Sequence, residues 1–355
     1  MKQVVILLSI FVLSSSLSFA DVDEFNTYRW NRKNVLNNTG RVDKRDWFEW
    51  WYYKIVLPET NKSFFFVYGV VNPWDKENVA KGTRSYIGMG DFAKKIQVEE
   101  IFSVDEFYAS YEDVDVTVGS NSATDKFFNG TIVSENGKEY QWDIEIDRKW
   151  TFNPEGPLMG KMITNIEWYS AQADARCSGE IKSDTELYKF EDVPCYQDRN
   201  WGRSFPQWWT WIVSNHFENS PGTALSIGGG KPKVLGMKPN YENVSVGLRY
   251  KEKDYIFSPF HLDKVKIDIE FGKWEVTGVS GLLKIEVTAF APKDSFMDLQ
   301  FMTPQGELFH DYETLNGRLE VKLYKRRHKF SKRWNMIDTL ISNYAGIEYG
   351  SREIY

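Results

Sequence analysis

The chain has 355 residues, 42% of them hydrophobic and 26% charged, and a formal net charge of −6 at pH 7. An acidic balance with both signs interspersed argues against nucleic acid as the partner. Two cysteines make no disulfide framework, and four scattered histidines (His216, His261, His310, His328), with no Cys-x-x-Cys or His-Glu-x-x-His, leave no metal motif and call for no cofactor.

Met1 and Lys2, the apolar run Val4 to Leu13 and the small-residue stretch Ser18-Phe19-Ala20 read as a secretory signal peptide over residues 1–20. Cleavage after Ala20 leaves 355 − 20 = 335 residues. No later segment approaches the ~18 uncharged apolar residues of a membrane helix. The expectation is an exported chain without a transmembrane segment. Four Asn-x-Ser/Thr sequons (Asn37, Asn61, Asn129, Asn243) become glycosylation sites in a eukaryotic secretory pathway.

The stretch Arg45-Asp46-Trp47-Phe48-Glu49-Trp50-Trp51-Tyr52-Tyr53-Lys54 packs six aromatic residues around two carboxylates. Read as a strand over residues 47–56, it places Trp47, Glu49, Trp51, Tyr53 and Ile55 on one face and Phe48, Trp50, Tyr52, Lys54 and Val56 on the other. Glu49 then lies between two tryptophans. There, lost hydration raises a carboxyl pKa and makes it a better proton donor. The alternative is a buried Glu paired with an Arg or Lys of a neighbouring strand.

Period-2 alternation continues along the chain. Trp142, Ile144 and Ile146 alternate with acids, Val265, Ile267, Ile269 and Phe271 with charged residues, and Leu319, Val321 and Leu323 with Glu320 and Lys322. These patterns predict half-buried antiparallel strands. Turn signals are read at Asn136-Gly137, Gly228-Gly229-Gly230, Pro304-Gln305-Gly306 and Asn316-Gly317. Only Ser331 to Ser342 carries a weak helical pattern. The basic run Lys325 to Lys329 reads as a solvated strand end. No internal repeat is evident.

The fold expected is all-β, two antiparallel barrel or sandwich lobes packed together, since the length exceeds one such unit. The junction is placed within Lys182 to Asp192, giving an N-terminal lobe over 21–187 and a C-terminal lobe over 188–355. Cys177 and Cys195 are separated by 17 residues. Bridged in an oxidising compartment, they would add about 3 kcal/mol by restricting the unfolded chain.

Residues 195–217 repeat the aromatic theme. Asp198 to Gly202 is polar and turn-like, and from Gln207 the chain alternates as a strand, with Trp209, Trp211, Val213, Asn215 and Phe217 on one face.

Three stretches resemble the tocopherol cyclase-like family, which is related more distantly to the lipocalin-like hydroxyneurosporene synthase group. Phe48-Glu49-Trp50-Trp51-Tyr52-Tyr53-Lys54 is similar to a Phe-Glu-Gly-Trp-Tyr-Phe-Lys signature. Tyr196 to Pro206, with Trp209-Thr210-Trp211 and Asn215, resembles a segment with an Asn-Trp-Gly-x-Ser-Phe-Pro core. Ser342 to Gly350 is similar to a closing Ala-Gly-Leu-Glu-Val-Gly-Gly. Trp50 and Arg203 stand where the family pattern has Gly, and Asp198 where it has Glu.

The resemblance implies lipocalin-like lobes, an apolar or prenylated small-molecule partner and ring closure of a prenylated quinol. That reaction needs a proton donor to the alkene, aromatic faces for the cation and exclusion of water. Glu49 and Asp198 are the candidate acids and are expected to meet in one cavity. Trp51, Tyr53, Trp201, Trp209 and Trp211 are candidates for its wall, with Asn200 and Asn215 as partners of the ring hydroxyls. Two other readings stay open: a non-catalytic carrier of an apolar ligand, and a carbohydrate-active or carbohydrate-binding β protein.

Overall fold

The computed structural model describes residues 46–355 apart from 74, 76–81, 111–113, 157–158, 161–162 and 235–240. The signal-peptide segment and Asn37 lie outside the described residues.

Eleven strands build a first sheet: β1 (Phe48–Leu57), β2 (Lys62–Val71), β3 (Arg84–Asp91), β4 (Ile96–Phe102), β5 (Phe107–Ala109), β6 (Asp115–Val118), β7 (Asn121–Thr124), β8 (Phe127–Val133), β9 (Glu139–Phe152), β10 (Ile166–Ser183) and β11 (Glu186–Gly202). A second sheet holds β12 (Trp208–Ser214), β13 (Ala224–Gly230), β14 (Asn243–Tyr250), β15 (Lys253–Phe257), β16 (Lys264–Glu270), β17 (Lys273–Ser280), β18 (Leu283–Phe290), β19 (Met297–Met302), β20 (Leu308–Lys325) and β21 (Asn335–Ser351). Each sheet is antiparallel and curls into a nearly closed barrel. Among the described residues no helix is long and apolar enough to cross a membrane.

Both sheets follow one plan. The first four strands of each form a meander (β1 to β4, β12 to β15), and the first strand pairs on its other side with the last one, β1 with β11 and β12 with β21. A topological repeat thus exists where the sequence displays none. The aromatic-rich strands β1 and β12 open the two barrels.

That position explains the aromatic density of β1. One of its faces lines the first barrel and the other faces the second barrel, so nearly every residue is buried. Trp51, Tyr53 and Ile55 join the core of the first barrel. Phe48 and Trp50 join a separate core between the barrels, with Phe205, Trp209, Trp211 and Phe309. A third core, around Trp274, Val287, Leu319 and Leu323, fills the second barrel. A strand buried on both faces reads as a continuous apolar run instead of an alternation of apolar and polar residues.

Four local expectations are corrected. Residues 188–202 belong to β11 and pair with β1 and β10, so the chain changes sheets between Gly202 and Trp208, not at 187/188. Asn165 fastens this crossover, its Nδ2 donating to the Ser204 carbonyl at 2.9 Å. Gly228 to Gly230 end β13, and Asn316-Gly317 sits inside β20 at a register shift opposite β21. Gly228 is needed for close approach: a Cβ there would come within 2.5 Å of the Trp168 ring. The weak helical pattern at 331–342 runs into β21, where pairing with β20 overrides local propensity.

Candidate active site

Strand parity decides the site. In the register of β1 with β11, Glu49 lies opposite Trp201, Trp51 opposite Arg199 and Tyr52 opposite Asp198. Side chains alternate, so Glu49, Trp51, Tyr53, Arg199 and Trp201 project into the first barrel, while Trp50, Tyr52, Asp198 and Asn200 project toward the second. Glu49 and Asp198 therefore do not meet in one cavity.

Inside the barrel Glu49 is fully buried and forms an ion pair with Arg199. The Arg199 guanidinium lies 5.5 Å from the Trp51 ring centre and 4.7 Å from that of Trp201, a cation–π sandwich. The Trp201 indole donates to Glu167 at 2.8 Å, and Tyr53 stacks on Phe128 at 4.1 Å. Asn215 donates to the Cys195 carbonyl at 2.7 Å and to Asp174 at 3.0 Å, tying the end of β12 to the first sheet. Cys177 and Cys195 are disulfide-bonded across β10 and β11. Of the residues singled out from the sequence, these occupy structural positions away from the cavity described next.

Between the barrels lies a cavity of about 1040 Å³, its open mouth included. Trp50, Tyr52, Trp168, Trp209, Trp211 and Phe301 supply aromatic walls. Asn200 also reaches it. Besides Glu155 and Glu167, four acidic residues line the same space: Asp198 on β11, Asp311 and Glu313 on β20, and Glu348 on β21.

Asp198 is held by one oxygen. Its Oδ2 accepts from the Trp168 indole at 2.8 Å and from the Tyr196 hydroxyl at 2.9 Å. Tyr196 in turn accepts from the Trp211 indole at 3.0 Å. Oδ1 is buried with no hydrogen-bond partner. Burial pushes the Asp198 carboxyl up to about 7, against the opposing pull of the Trp168 and Tyr196 hydrogen bonds. A carboxyl anchored on one oxygen keeps the other for a proton aimed at a ligand.

The other three acids form a cluster with ligand oxygens within 4.8 Å of one another. Glu313 and Glu348 are direct cross-strand partners. Burial raises all three, pushing Glu348 up to about 7, and the Glu348 charge raises Asp311 and Glu313 further. The Trp209 indole donates to both Asp311, at 3.2 Å, and Glu348, and Tyr52 donates to Glu313. Oxygens this close can share protons or hold a cation. The aromatic donors already engage them and burial favours the neutral forms, an arrangement suited to shared protons. Lys54, also buried, donates to the Tyr344 carbonyl at 3.2 Å; burial pushes its ammonium down to about 7 while the Glu313 charge opposes the shift.

Sequence reading missed Tyr52, Trp168, Asp311, Glu313 and Glu348. Glu348 stood within the closing segment that carried the resemblance. Asp311 and Glu313, two apart on one strand face, gave a weaker signal, because acids at that spacing are common on solvated strands.

The chain matches the model of the tocopherol cyclase-like family over residues 45–125 and 97–351. It is 26% identical to a probable chloroplastic tocopherol cyclase of Oryza sativa subsp. japonica, over 86% of this chain and 76% of that protein. It is 24% identical to the chloroplastic tocopherol cyclase of Zea mays, over 86% of this chain and 75% of that protein. Among solved structures, kievitone hydratase from Nectria haematococca has a similar fold, with a TM-score of 0.50 at 13% identity, covering 85% of this chain and 88% of that one.

Proposed function

The chain belongs to the tocopherol cyclase-like family, and on that premise we propose that it is an enzyme that cyclises a prenylated quinol or related isoprenoid in the cavity between its barrels. The observation that carries this reading is Asp198: a buried acid near neutral pKa, anchored on Oδ2 and without a hydrogen-bond partner on Oδ1, within aromatic walls.

Asp198 gives its Oδ1 proton to the less substituted carbon of a trisubstituted alkene, and the electron pair of the double bond forms the new C–H bond. The tertiary cation left behind faces indole and phenyl rings, each worth roughly 0.5–2 kcal/mol when desolvated. A substrate hydroxyl then forms a C–O bond to it and gives up its proton to a carboxylate in the cavity. One proton enters and one leaves, so the product is an isomer of the substrate. Within the cluster of Asp311, Glu313 and Glu348, Glu348 is the acceptor nearest in kind, since burial pushes it up to about 7.

Turnover of a prenylated hydroquinone in heavy water tests this. The expected product carries one deuterium at the former alkene carbon. Recovery of unchanged quinol, bound but unlabelled, would instead identify a carrier.

A further inference from the structure

The connection between β20 and β21 is a hairpin tip whose chemistry the cavity does not use. Residues 325–333 read Lys-Arg-Arg-His-Lys-Phe-Ser-Lys-Arg, six Lys or Arg with no acid. The whole chain carries −6, so the remaining residues sum to −6 − 6 = −12. A strongly basic tip thus stands on an acidic body.

The base of the tip is braced. The Arg326 guanidinium donates twice to the Gly281 carbonyl, at 3.1 and 2.6 Å, and lies 4.7 Å from the Trp334 ring centre. Beyond that brace the only side-chain hydrogen bonds among the described residues of the tip are those of the Ser331 hydroxyl with the Arg333 backbone. Arg327, Lys329, Lys332 and Arg333 are exposed, and among the described residues no carboxylate pairs with any of them. Phe330 is 94% exposed, and Met336 and Ile337 are exposed at the same end of the hairpin.

We propose that this hairpin tip docks the protein on an anionic lipid surface, with the cations at the headgroups and Phe330 inserted below them. Unpaired cations beside an exposed aromatic ring match the charge and polarity gradient of such an interface. Met336 and Ile337, exposed beside Phe330, add apolar surface that cannot stack on bases, which favours lipid over nucleic acid. The proposal does not depend on the cavity's chemistry, because binding is read without turnover.

The test is flotation of the full chain with phosphatidylcholine vesicles containing about one third phosphatidylserine. Binding should weaken as salt rises and be far weaker on phosphatidylcholine alone. Each cation near such a surface contributes about fivefold, so replacing Arg327, Lys329 and Lys332 together by Gln should lower partitioning about a hundredfold. Phe330→Ser should lower it on the order of tenfold. Melting temperatures should not move, since these side chains are exposed. The proposal is overturned by no binding to the anionic vesicles, by equal binding of the triple variant, or by tighter binding to duplex DNA than to lipid.

Discussion

Replacing Asp198 by Asn removes one labile proton and leaves the shape of the side chain. The amide oxygen still accepts from Trp168 and Tyr196, and the amide nitrogen takes the place of Oδ1, which has no partner to lose. The variant should fold. In the folded chain the carboxyl sits at about 7, against about 3.9 unfolded. A carboxyl raised in this way binds its proton more tightly when folded, so its contribution is fully present below the unfolded pKa and is lost as pH rises through about 7. Between about pH 5 and 7 that loss approaches about 1.4 kcal/mol per pH unit and comes to about 2 kcal/mol in all. Glu348 contributes the same trend in both proteins, so the quantity to measure is the difference between wild type and variant. Denaturant unfolding at those two pH values should show the variant gaining on the wild type by that amount. Turnover of a prenylated quinol should fall about 100-fold or more while ligand binding persists, and wild-type turnover should decline above pH ~7 as the donor ionises. Undiminished turnover in the variant, or an unchanged stability difference between the two pH values, refutes the reasoning.

Glu49→Gln should behave differently, because it leaves Arg199 buried without its counter-charge; a loss of about 3–5 kcal/mol is expected by denaturant unfolding, with binding and turnover falling together. Selective loss of turnover in a stable Glu49→Gln protein would return Glu49 to the chemistry. Glu313→Gln keeps an acceptor for Tyr52 and removes one of three crowded carboxyl groups whose ionisation burial opposes, so by denaturant unfolding the variant should gain on the wild type as pH is raised from about 5 to about 8. A relative loss over that range would mean that Glu313 is held ionised by a favourable partner. Reducing the Cys177–Cys195 bridge should lower stability by about 3 kcal/mol, given its loop of 17 intervening residues; an unchanged unfolding midpoint with reductant speaks against it.

Much of the local structure was legible because strand alternation is a property of consecutive residues. The parity of β1 read correctly, with Glu49, Trp51 and Tyr53 on one face, whereas Asp198 to Gly202, read as turn-like, is the end of strand β11, held there by pairing with β1. Asp198, Asn200, Trp209 and Trp211 do line the cavity. Which face of β1 looks into the first barrel was not legible, because both faces are aromatic and both are buried. Polar residues outside and apolar residues inside is the usual guide to orientation, and a strand shared by two cores lacks it.

The sequence by itself determined the all-β class, the aromatic strands and the family resemblance, since each rests on neighbouring residues or short motifs. The tertiary structure alone decided the pairing of Glu49 with Arg199 and the gathering of Asp198, Asp311, Glu313 and Glu348 around one space. Glu313 and Glu348 are distant in sequence and become neighbours only through the register of β20 with β21, which shifts at Gly317. Asp198 reaches them only because two separate barrels pack face to face. Alternation fixes a side chain's direction within its strand, but register and packing fix what it points at, and both depend on contacts between distant parts of the chain.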